Sequence, residues 1–193
     1  MWYVIQVRTG NEEEIKLQCE KLIEPEILEK CFIPYYEQMK RYHSRWHKKR
    51  RILFPGYVFL VSDAKEKLPF ALKRVMGLTK LIKADGEILP LTEAEVDFLL
   101  DFGKEEQVVG MSKGIIVNDK VMIQEGPLKG NEGLIKKIDR HKRKAWLELS
   151  LLGRTVETQV GLEIVEKKKV EKGKDETPDE SAGGGEDQSE TAE

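Results

Sequence analysis

The first sixty residues carry the alternation of apolar and polar positions that is typical of β-strands. Three segments show it, each rich in aromatic and β-branched side chains: residues 2–8, 30–41 and 51–61. Between the second and third segments lies a polar, strongly basic stretch with no apolar periodicity. We interpret this stretch as a connection between two strands.

Other segments have apolar residues at helical spacing: residues 11–23, 63–77 and 92–102. In the first of them, Ile15 and Cys19 fall on one face, and Asn11 is the predicted N-cap. In the last, Thr92 and Glu95 have the spacing of a capping box. The order of strands and helices is that of a split βαβ sandwich, so we predict an N-terminal α/β domain.

The second half of the chain has a different pattern. Residues 103–114 contain three glycines and no sustained periodicity, which predicts a linker. Residues 115–166 consist of short strand patterns separated by Gly and Lys/Arg turns, which predicts a small β-barrel. The expected fold class is therefore α+β, with an α/β sandwich over residues 1–102 that the linker joins to the barrel.

The charge of the chain is unevenly distributed. Its formal net charge is -2, but the residues after position 174 include eight acidic side chains and no Lys or Arg, so residues 1–174 carry +6. Residues 167–193 are rich in Gly, Ser and Glu and are predicted to form a disordered acidic tail. A basic folded part favours a polyanionic partner. The tail has a second interpretation, as a mobile segment that competes with nucleic acid for the basic surface.

Composition excludes several classes of protein. No apolar run approaches the length of a membrane span, and the N-terminus lacks the basic segment and long apolar stretch of a secretory signal. Two cysteines, Cys19 and Cys31, are too few for a disulfide framework and suit a reducing compartment. A cytoplasmic protein with no membrane association is therefore expected.

Neither a metal site nor a catalytic site is predicted. Cys19 and Cys31 lack the spacing of zinc-ligand pairs, and His43 and His47 lie among cations that would repel the ion. No Ser/His/Asp or Cys/His arrangement typical of a catalytic site can be recognised in the sequence. The paired carboxylates fall on helix faces that are expected to be exposed. The chain is therefore expected to act without metal, cofactor or enzymatic chemistry.

The segment EGPLKGNEGLIKKID, residues 125–139, raises the question of a phosphate-binding loop. Such a loop needs Gly-Lys-Ser/Thr followed by a helix, whereas here Gly133 is followed by a leucine and a strand pattern. A simple turn would need only Gly126 and Pro127. The further glycines Gly130 and Gly133 predict a strand that bends sharply or lets another backbone come close.

This segment, together with LGRTVETQVGLEIVEK further on, resembles the KOW motif and the end of the KOW domain in the NusG family of transcription factors. WYVIQVRTGNEE, FPGYVFLV, RVMG and PLTEAEVDFL resemble the NGN domain of that family, in the same order. The resemblance covers residues 2–166 and implies an NGN domain that binds RNA polymerase, followed by an SH3-like KOW barrel. The residues assigned to the KOW motif are Gly126, Pro127, Gly130, Gly133, Leu152, Gly153 and Arg154.

In NGN domains an aromatic-rich depression holds the clamp helices of RNA polymerase. The resemblance assigns this role to Trp2, Phe54 and Tyr57, while Pro55 and Gly56 shape the turn. Aromatic side chains in a dry, central patch dominate interface energetics, which supports the assignment. The alternative is that these aromatic side chains are core residues of a small domain.

The basic stretch of residues 40–51 holds seven Lys or Arg, two His, one Tyr and one Trp in twelve residues. Aromatic rings stack on bases while cations neutralise phosphates, so this composition favours single-stranded nucleic acid. The family resemblance implies the exposed non-template DNA strand. A solvated loop between strands is the alternative. The candidate residues are Arg41, Arg45, Trp46, Lys48, Lys49 and Arg50.

A second basic cluster, residues 136–146, lies at a strand-to-strand turn of the predicted barrel. Cations at a hairpin tip can grip an RNA backbone while His141 or Trp146 stacks on a base. An RNA hairpin is the ligand that resemblance to the specialised LoaP-type members of the family implies. An ordinary charged hairpin is the alternative. The candidate residues are Lys136, Lys137, Arg140, His141, Lys142, Arg143 and Lys144.

One departure from the family pattern bears on the partners. In NusG the barrel meets a ribosomal protein or Rho through a phenylalanine before a Gly-Arg pair, and here Leu152 precedes Gly153 and Arg154. The smaller side chain weakens the expectation of either partner. The chain thus resembles specialised antiterminators of the RfaH and LoaP type and is expected to be a monomer. The alternatives are a general elongation factor that couples transcription to translation or termination, and a ribosome-associated RNA-binding protein with a KOW domain.

Overall fold

The computed structural model describes residues 1–84 and 87–168. The first module, residues 1–109, contains in chain order β1 (Trp2–Val7), α1 (Glu12–Leu22), β2 (Lys30–Phe32), β3 (Tyr35–Tyr42), β4 (Arg45–Ile52), β5 (Tyr57–Val61), α2 (Leu68–Leu72), β6 (Leu78–Leu81), β7 (Lys83–Ala84), β8 (Glu87–Ile88), α3 (Glu93–Gly103) and β9 (Val108–Val109). The second module, residues 112–168, contains β10 (Ser112–Val117), β11 (Lys120–Glu125), a 3-10 turn (Glu132–Leu134), β12 (Ile135–Asp139), β13 (Lys144–Leu151) and β14 (Arg154–Lys168). The predicted acidic tail lies outside the described residues from position 169 onward.

β1 is a central strand of the main sheet of the first module, which has the order β2-β5-β1-β6 and is antiparallel throughout. Successive side chains of a strand point to opposite faces. Tyr3 and Ile5 pack with apolar residues of α1 and α2, whereas Val4 belongs to the core on the other face. All three side chains are fully buried, so the sheet separates two cores.

α1 packs as its pattern predicts, but its N-terminus is stabilised differently. Ile15 is buried on the expected face. Asn11 is the N-cap residue, yet its side chain makes no capping hydrogen bond. The carboxylate of Glu12 instead accepts the backbone N–H groups of Gly10 and Gly56, each at 2.7 Å. This buried glutamate ties the start of the helix to the turn before β5.

The basic stretch of residues 40–51 forms most of a β-hairpin, so the alternative interpretation of this stretch as a solvated loop between strands is wrong. β3 and β4 pair along their whole length of eight residues each. His43 and Ser44 form the turn with φ angles of 45° and 61°, the left-handed geometry of two-residue hairpin turns. β4 is exposed at six of its eight residues, so it lacks the apolar alternation by which a sequence indicates a strand.

Three other predicted elements are divided or shortened. The strand pattern of residues 30–41 is divided into β2 and β3 near Pro34, which has no N–H to donate to a ladder. The pattern of residues 51–61 contributes only its last five residues to β5, because a turn precedes Tyr57. The helix predicted over residues 63–77 forms only at its centre, as α2.

α3 begins at a capping box, as predicted. The Thr92 hydroxyl accepts the N–H of Glu95 at 3.3 Å, and the Glu95 carboxylate accepts the N–H of Thr92 at 2.8 Å. Beyond the helix, β9 pairs in parallel with β3. The segment predicted as a linker, residues 103–114, therefore contributes a strand to the first module and, from Ser112, the start of β10 to the second.

The second module is a five-stranded sheet with the order β11-β10-β14-β13-β12. β10 and β14 are parallel, and the other neighbouring strands are antiparallel. Its fully buried apolar side chains are those of Leu128, Ala145, Leu147, Val160 and Leu162. β14 runs for 15 residues, longer than the short strands that the pattern predicts. A β-rich second domain after the α/β domain is thus confirmed.

The two modules pack against each other and share one hydrophobic core. Phe54 of the first module and Leu149 and Leu151 of the second belong to the same buried cluster. A Cβ added at Gly161 of β14 would clash with the backbone oxygen of Glu37 in β3. Glycine at this position therefore permits the close approach of the two strands across the interface.

Candidate functional site

Four of the residues predicted to bind polymerase, Phe54, Pro55, Gly56 and Tyr57, lie at or beside the turn between β4 and β5. Trp2 lies elsewhere, because it pairs with Val61 at the opposite end of the β1–β5 ladder from Tyr57. Gly56 has a φ of +85°, its N–H donates to Glu12 at 2.7 Å, and its carbonyl accepts the N–H of Val7 at 2.8 Å. A Cβ at Gly56 would lie 3.3 Å from the carbonyl oxygen of Val7. The backbone of Gly56 thus anchors the turn to β1 and α1 and fixes the position of its neighbours, the exposed Pro55 and the half-buried Tyr57.

A continuous row of aromatic rings runs beneath this turn. Trp2 meets Phe32 edge to face, with 5.0 Å between the ring centres. Phe59 contacts Phe32 at 5.5 Å and Phe54 at 5.8 Å. Phe54 is 1% exposed, whereas Trp2 at the other end of the row is half-buried. The row therefore connects Trp2 at the surface with Phe54 inside, through the rings of Phe32 and Phe59.

Strand β13 of the second module covers Phe54. A largely apolar cavity of about 150 Å³ lies between the modules, with Phe54 and α3 on one side and β13 on the other. The residues lining it are Phe54, Ala94, Glu95, Phe98, Leu99, Leu149, Ser150 and Leu151. A partner could reach the Phe54 ring only after the second module had moved away from the first.

Leu152, at the turn between β13 and β14, also faces the first module. Its N–H donates to the carboxylate of Glu95, and its side chain is 8% exposed within the shared core. Nearby, the hydroxyl of Thr158 donates to the backbone carbonyl of Leu53, which adds a second hydrogen bond across the interface. The position that the family resemblance connects with a ribosomal protein or Rho is here part of the contact between modules.

The glycines of the KOW motif have different structural roles. A close backbone approach occurs at Gly126, where a Cβ would lie 2.6 Å from the Cα of Ser112. The sequence predicts such an approach instead for Gly130 and Gly133, and for both it is wrong, because a Cβ at either would meet nothing within 4 Å. Gly130 and Gly153 occupy turns with positive φ.

The first basic cluster lies along the β3–β4 hairpin. Its exposed members are Arg41, Arg45, Lys48, Lys49 and Arg50. Lys48 forms an ion pair with Glu37 at 2.9 Å. Arg50 lies 3.9 Å from a carboxylate oxygen of Glu106. Trp46 is half-buried and is the member that contacts the second module. The cluster is therefore a mostly open, partly neutralised basic surface.

The second basic cluster surrounds the turn between β12 and β13. Its exposed members are Lys136, Lys137, Arg140, His141 and Lys142. Asp139 accepts the backbone N–H of Lys142 at 2.9 Å, and this bond holds the pKa of the Asp139 carboxyl below its usual value. The ammonium groups of Lys137 and Lys144 lie 5.2 and 4.4 Å from the centre of the Trp146 ring. The Trp146 ring therefore already makes cation–π contacts with two lysines of the protein.

The two basic clusters meet where the modules dock. The guanidinium of Arg143 lies 4.1 Å from the centre of the Trp46 ring and pairs with Glu163 at 3.0 Å. Beside this contact is a groove of about 330 Å³, the basic groove, lined by Gln38, Met39, Lys40, Arg41, Trp46, Arg51, His141, Lys142 and Lys144. The sequence predicts two separate clusters, and neither includes Lys40 or Arg51. The place of these two residues in the groove depends on strand pairing and on docking of the modules.

The residues weighed as zinc ligands lie in two different places. Cys19 and Cys31 are buried free thiols, and a hydrogen bond between them together with burial raises the pKa of the Cys31 thiol. His43 and His47 lie on the β3–β4 hairpin. Over residues 1–84 and 87–168 no group of three or more His, Cys, Asp or Glu is placed to hold a metal ion. None of the described helices has the length and apolar character needed to cross a membrane.

Known proteins resemble this chain along most of its length. The chain is 28% identical over 178 residues to the transcription termination/antitermination protein NusG of Halalkalibacterium halodurans, an alignment that covers 88% of this chain and 98% of the relative. It is 25% identical over 174 residues to the protein of the same name from Staphylococcus carnosus, covering 86% of this chain and 94% of the relative.

A solved structure and a family model agree with these relatives. A structure of Thermotoga maritima NusG, solved to describe its domain interaction, superposes with a TM-score of 0.54 at 24% identity and covers 84% of this chain and 93% of that one, which supports the fold. Residues 1–100 match the family model described as transcription termination factor NusG. That match spans more than half of the sequence, and the chain therefore belongs to the NusG family of transcription termination and antitermination factors.

Proposed function

We propose that this chain binds RNA polymerase through the aromatic residues at the β4–β5 turn, promotes processive elongation or antitermination, and is directed to particular transcripts by an RNA hairpin. The observation that carries the proposal is the combination, in one NusG-family chain, of the aromatic row with two exposed basic clusters. The aromatic row suits a protein partner, and the clusters add the means to select a nucleic acid.

The polymerase side of the proposal rests on the surface around Phe54. Pro55 and Tyr57 are accessible beside Phe54, and Trp2 is accessible at the other end of the aromatic row. A helical hairpin such as the clamp helices can pack apolar side chains against an aromatic surface of this kind. Buried aromatic residues supply most of the binding free energy at such interfaces. Because the second module covers Phe54, only molecules whose modules are separated can bind polymerase through this ring. The apparent affinity for polymerase is therefore proportional to the fraction of such molecules.

The nucleic-acid side rests on the two basic clusters. Lys and Arg side chains that neutralise phosphates release counterions, so the affinity is expected to fall steeply with salt. A folded RNA hairpin presents a continuous phosphate backbone that can contact both clusters at once. The exposed non-template DNA strand is a second polyanion with the same phosphate chemistry, and the experiment below separates the two.

The proposed effect on transcription involves no covalent chemistry. A protein that holds both sides of the polymerase cleft stabilises the closed conformation and shifts the population of complexes away from paused states. A ribosomal protein or Rho is not included as a partner, because Leu152, the residue expected to contact them, lies in the interface between modules.

Transcription in vitro past a terminator, with and without the purified protein, tests the proposal. We expect the wild-type protein to increase read-through and Tyr57→Ala to lose most of that increase. Leu17→Ala is the matched control, because Leu17 is 61% exposed on α1, away from the β4–β5 turn. Termination that does not respond to the wild-type protein would refute the proposal.

Two binding measurements distinguish the alternatives. Affinities for a structured RNA, a scrambled RNA and single-stranded DNA are compared at physiological salt. Equal affinities for the two RNAs would favour a general elongation factor, and tighter binding of DNA would favour the non-template strand. Co-purification with ribosomal subunits and not with polymerase would favour a ribosome-associated protein.

A further inference from the structure

We infer that the basic groove is a single RNA-binding site that exists only while the two modules are docked, and that RNA bound in it holds the modules together. The inference rests on the proposed function, since it specifies where RNA binds and what its binding regulates. Its consequence is that RNA and polymerase oppose each other on the same molecule, because the docked arrangement buries Phe54.

Both modules contribute cations to the walls of the groove. The β3–β4 hairpin supplies Lys40, Arg41 and Arg51, and the turn between β12 and β13 supplies Lys142 and Lys144. Separation of the modules would leave two half-sites, each with a smaller charge and an incomplete wall. The logarithm of the affinity for a phosphate backbone increases with the number of cations that contact it, so each half-site would bind RNA more weakly than the whole groove.

Most of the positive charge in the groove has no ion-pair partner within the described part of the protein. No Asp or Glu is among its lining residues. Lys40, Arg41 and Arg51 take part in none of the ion pairs formed within residues 1–84 and 87–168. Lys142 lies 3.8 Å from its partner Asp139. Like charges at this density repel each other and weaken docking, and phosphates placed between them would relieve that repulsion.

Arg143 has a positioning role between the two half-sites. The face of its guanidinium lies on Trp46 and its charge is paired with Glu163, so both are already engaged within the protein. Its side chain is 27% exposed, compared with 73% for the side chain of Lys142. Sequence reasoning groups Arg143 with the phosphate-binding residues, whereas the structure assigns it to holding the second half of the groove against the first.

A ligand that contacts both modules binds the docked state more tightly than the open state, and it therefore shifts the equilibrium towards docking. The coupling is reciprocal, so anything that opens the modules weakens RNA binding by the same factor. Polymerase is such an agent under the proposed function, because it needs the surface that β13 covers. The protein would thus bind RNA while its modules are docked, and the RNA would dissociate as polymerase binds.

Gly161 offers a way to open the modules without changing any side chain that lines the groove. A Cβ at this position would clash with the backbone oxygen of Glu37 and with the side chain of Met111. Gly161 is not among the residues with positive φ, so alanine suits the backbone of β14 while its methyl group pushes β3 away. Gly133→Ala is the matched control, since a Cβ there would meet nothing within 4 Å.

The first experiment measures the affinity of the full chain for a fluorescently labelled RNA stem-loop at physiological salt. We expect Gly161→Ala to bind it roughly tenfold more weakly than wild type and Gly133→Ala to bind it equally well. Arg41→Glu and Lys142→Glu, one in each half of the groove, should each weaken binding and reduce the salt slope by about 1. Lys120→Glu, at an exposed position outside the groove, is the control of equal charge.

The second experiment measures polymerase binding with and without the same stem-loop. RNA should lower the affinity of the wild-type protein for polymerase about tenfold and that of Gly161→Ala much less. A cooperative thermal melt of Gly161→Ala establishes that its modules remain folded. Equal RNA affinity of wild type and Gly161→Ala would overturn the inference and leave the proposed function standing, because the clusters would then bind RNA separately. Absence of RNA binding by the wild-type protein would overturn both.

Discussion

The carboxylate of Glu95 joins the start of α3 to the backbone N–H of Leu152 in the other module. One oxygen of this carboxylate accepts the N–H of Thr92 at 2.8 Å and its hydroxyl at 2.9 Å, and the other oxygen accepts the N–H of Leu152. A single side chain therefore caps a helix and fastens the second module to the first, which couples the local stability of α3 to docking.

Glu95→Ala is expected to weaken both the cap and the docking, whereas Thr92→Ala weakens only the cap. Loss of the cap costs about 1 kcal/mol, and loss of the hydrogen bond to Leu152 should cost about 1.5–3 kcal/mol more. Tryptic cleavage after Lys104, which precedes β9, is expected to accelerate more in Glu95→Ala than in Thr92→Ala. Equal cleavage rates would show that the bond across the interface contributes nothing to docking.

Substitutions of Tyr57 and Phe54 should separate binding from folding. Tyr57 is half-buried beside the turn, so Tyr57→Ala is expected to reduce polymerase affinity roughly tenfold while the protein still melts cooperatively. Phe54 is 1% exposed, so Phe54→Ala is expected to cost about 3–5 kcal/mol of unfolding free energy. Thermal melts and polymerase pull-downs check both. Loss of cooperative melting in Tyr57→Ala would identify Tyr57 as a core residue.

Glu12→Ala is expected to destabilise the first module by about 3 kcal/mol. Glu12 is 1% exposed, and its removal leaves the N–H groups of Gly10 and Gly56 without an acceptor. Urea unfolding measures the effect. Glu14→Ala, at an exposed position of the same helix, is the control and should change the free energy of unfolding by about 0.5 kcal/mol or less. A loss of similar size in both variants would contradict the structural role of Glu12.

The turn after β12 is expected to change only at acid pH. The backbone N–H of Lys142, helped by the charges of Lys142, His141 and Lys144, holds the pKa of Asp139 below its usual value. A carboxyl whose pKa is lowered by folding stabilises the folded state above the unfolded value of about 3.9, and this contribution is lost as the pH falls through the folded value.

The amide signal of Lys142 in NMR spectra therefore should stay constant from pH 7 to about pH 5 and shift only below about pH 4. Asp139→Asn keeps an oxygen acceptor for the N–H of Lys142 without a group that titrates in this range, so the shift should disappear in that variant. A shift near neutral pH that persists in Asp139→Asn would show that another group controls this amide and would contradict the role of Asp139.

Signals within one element predict those parts of the fold that are stabilised locally. The Thr92–Glu95 capping box is found as predicted because both partners lie within one helical turn. Ile15 is buried on the predicted face because helical spacing determines which residues share a face. Strand β4 gives no such signal, since six of its eight residues are exposed and most of these are charged.

The assembly of the candidate site depends on residues far apart in the chain and could not be predicted in the same way. Gly161 appears in the sequence as a break between strands, but its role is to admit β3 of the other module. Glu12 appears as an exposed first residue of a helix, yet it is buried by the β4–β5 turn. The contact of Arg143 with Trp46 exists only because the modules dock, so the two basic clusters appear separate in the sequence.

The short parallel pairing of β9 with β3 limits how far the second module can move relative to the first. From Val109 to Ser112 an extended backbone spans at most about 11 Å. This length allows the second module to rotate against the first but not to separate from it. If the pairing of β9 with β3 breaks, the connecting segment begins at Lys104, and when extended it can span roughly 28 Å. Opening of the modules would therefore take two stages, and the two-residue strand β9 would limit how far the second module can move in the first of them.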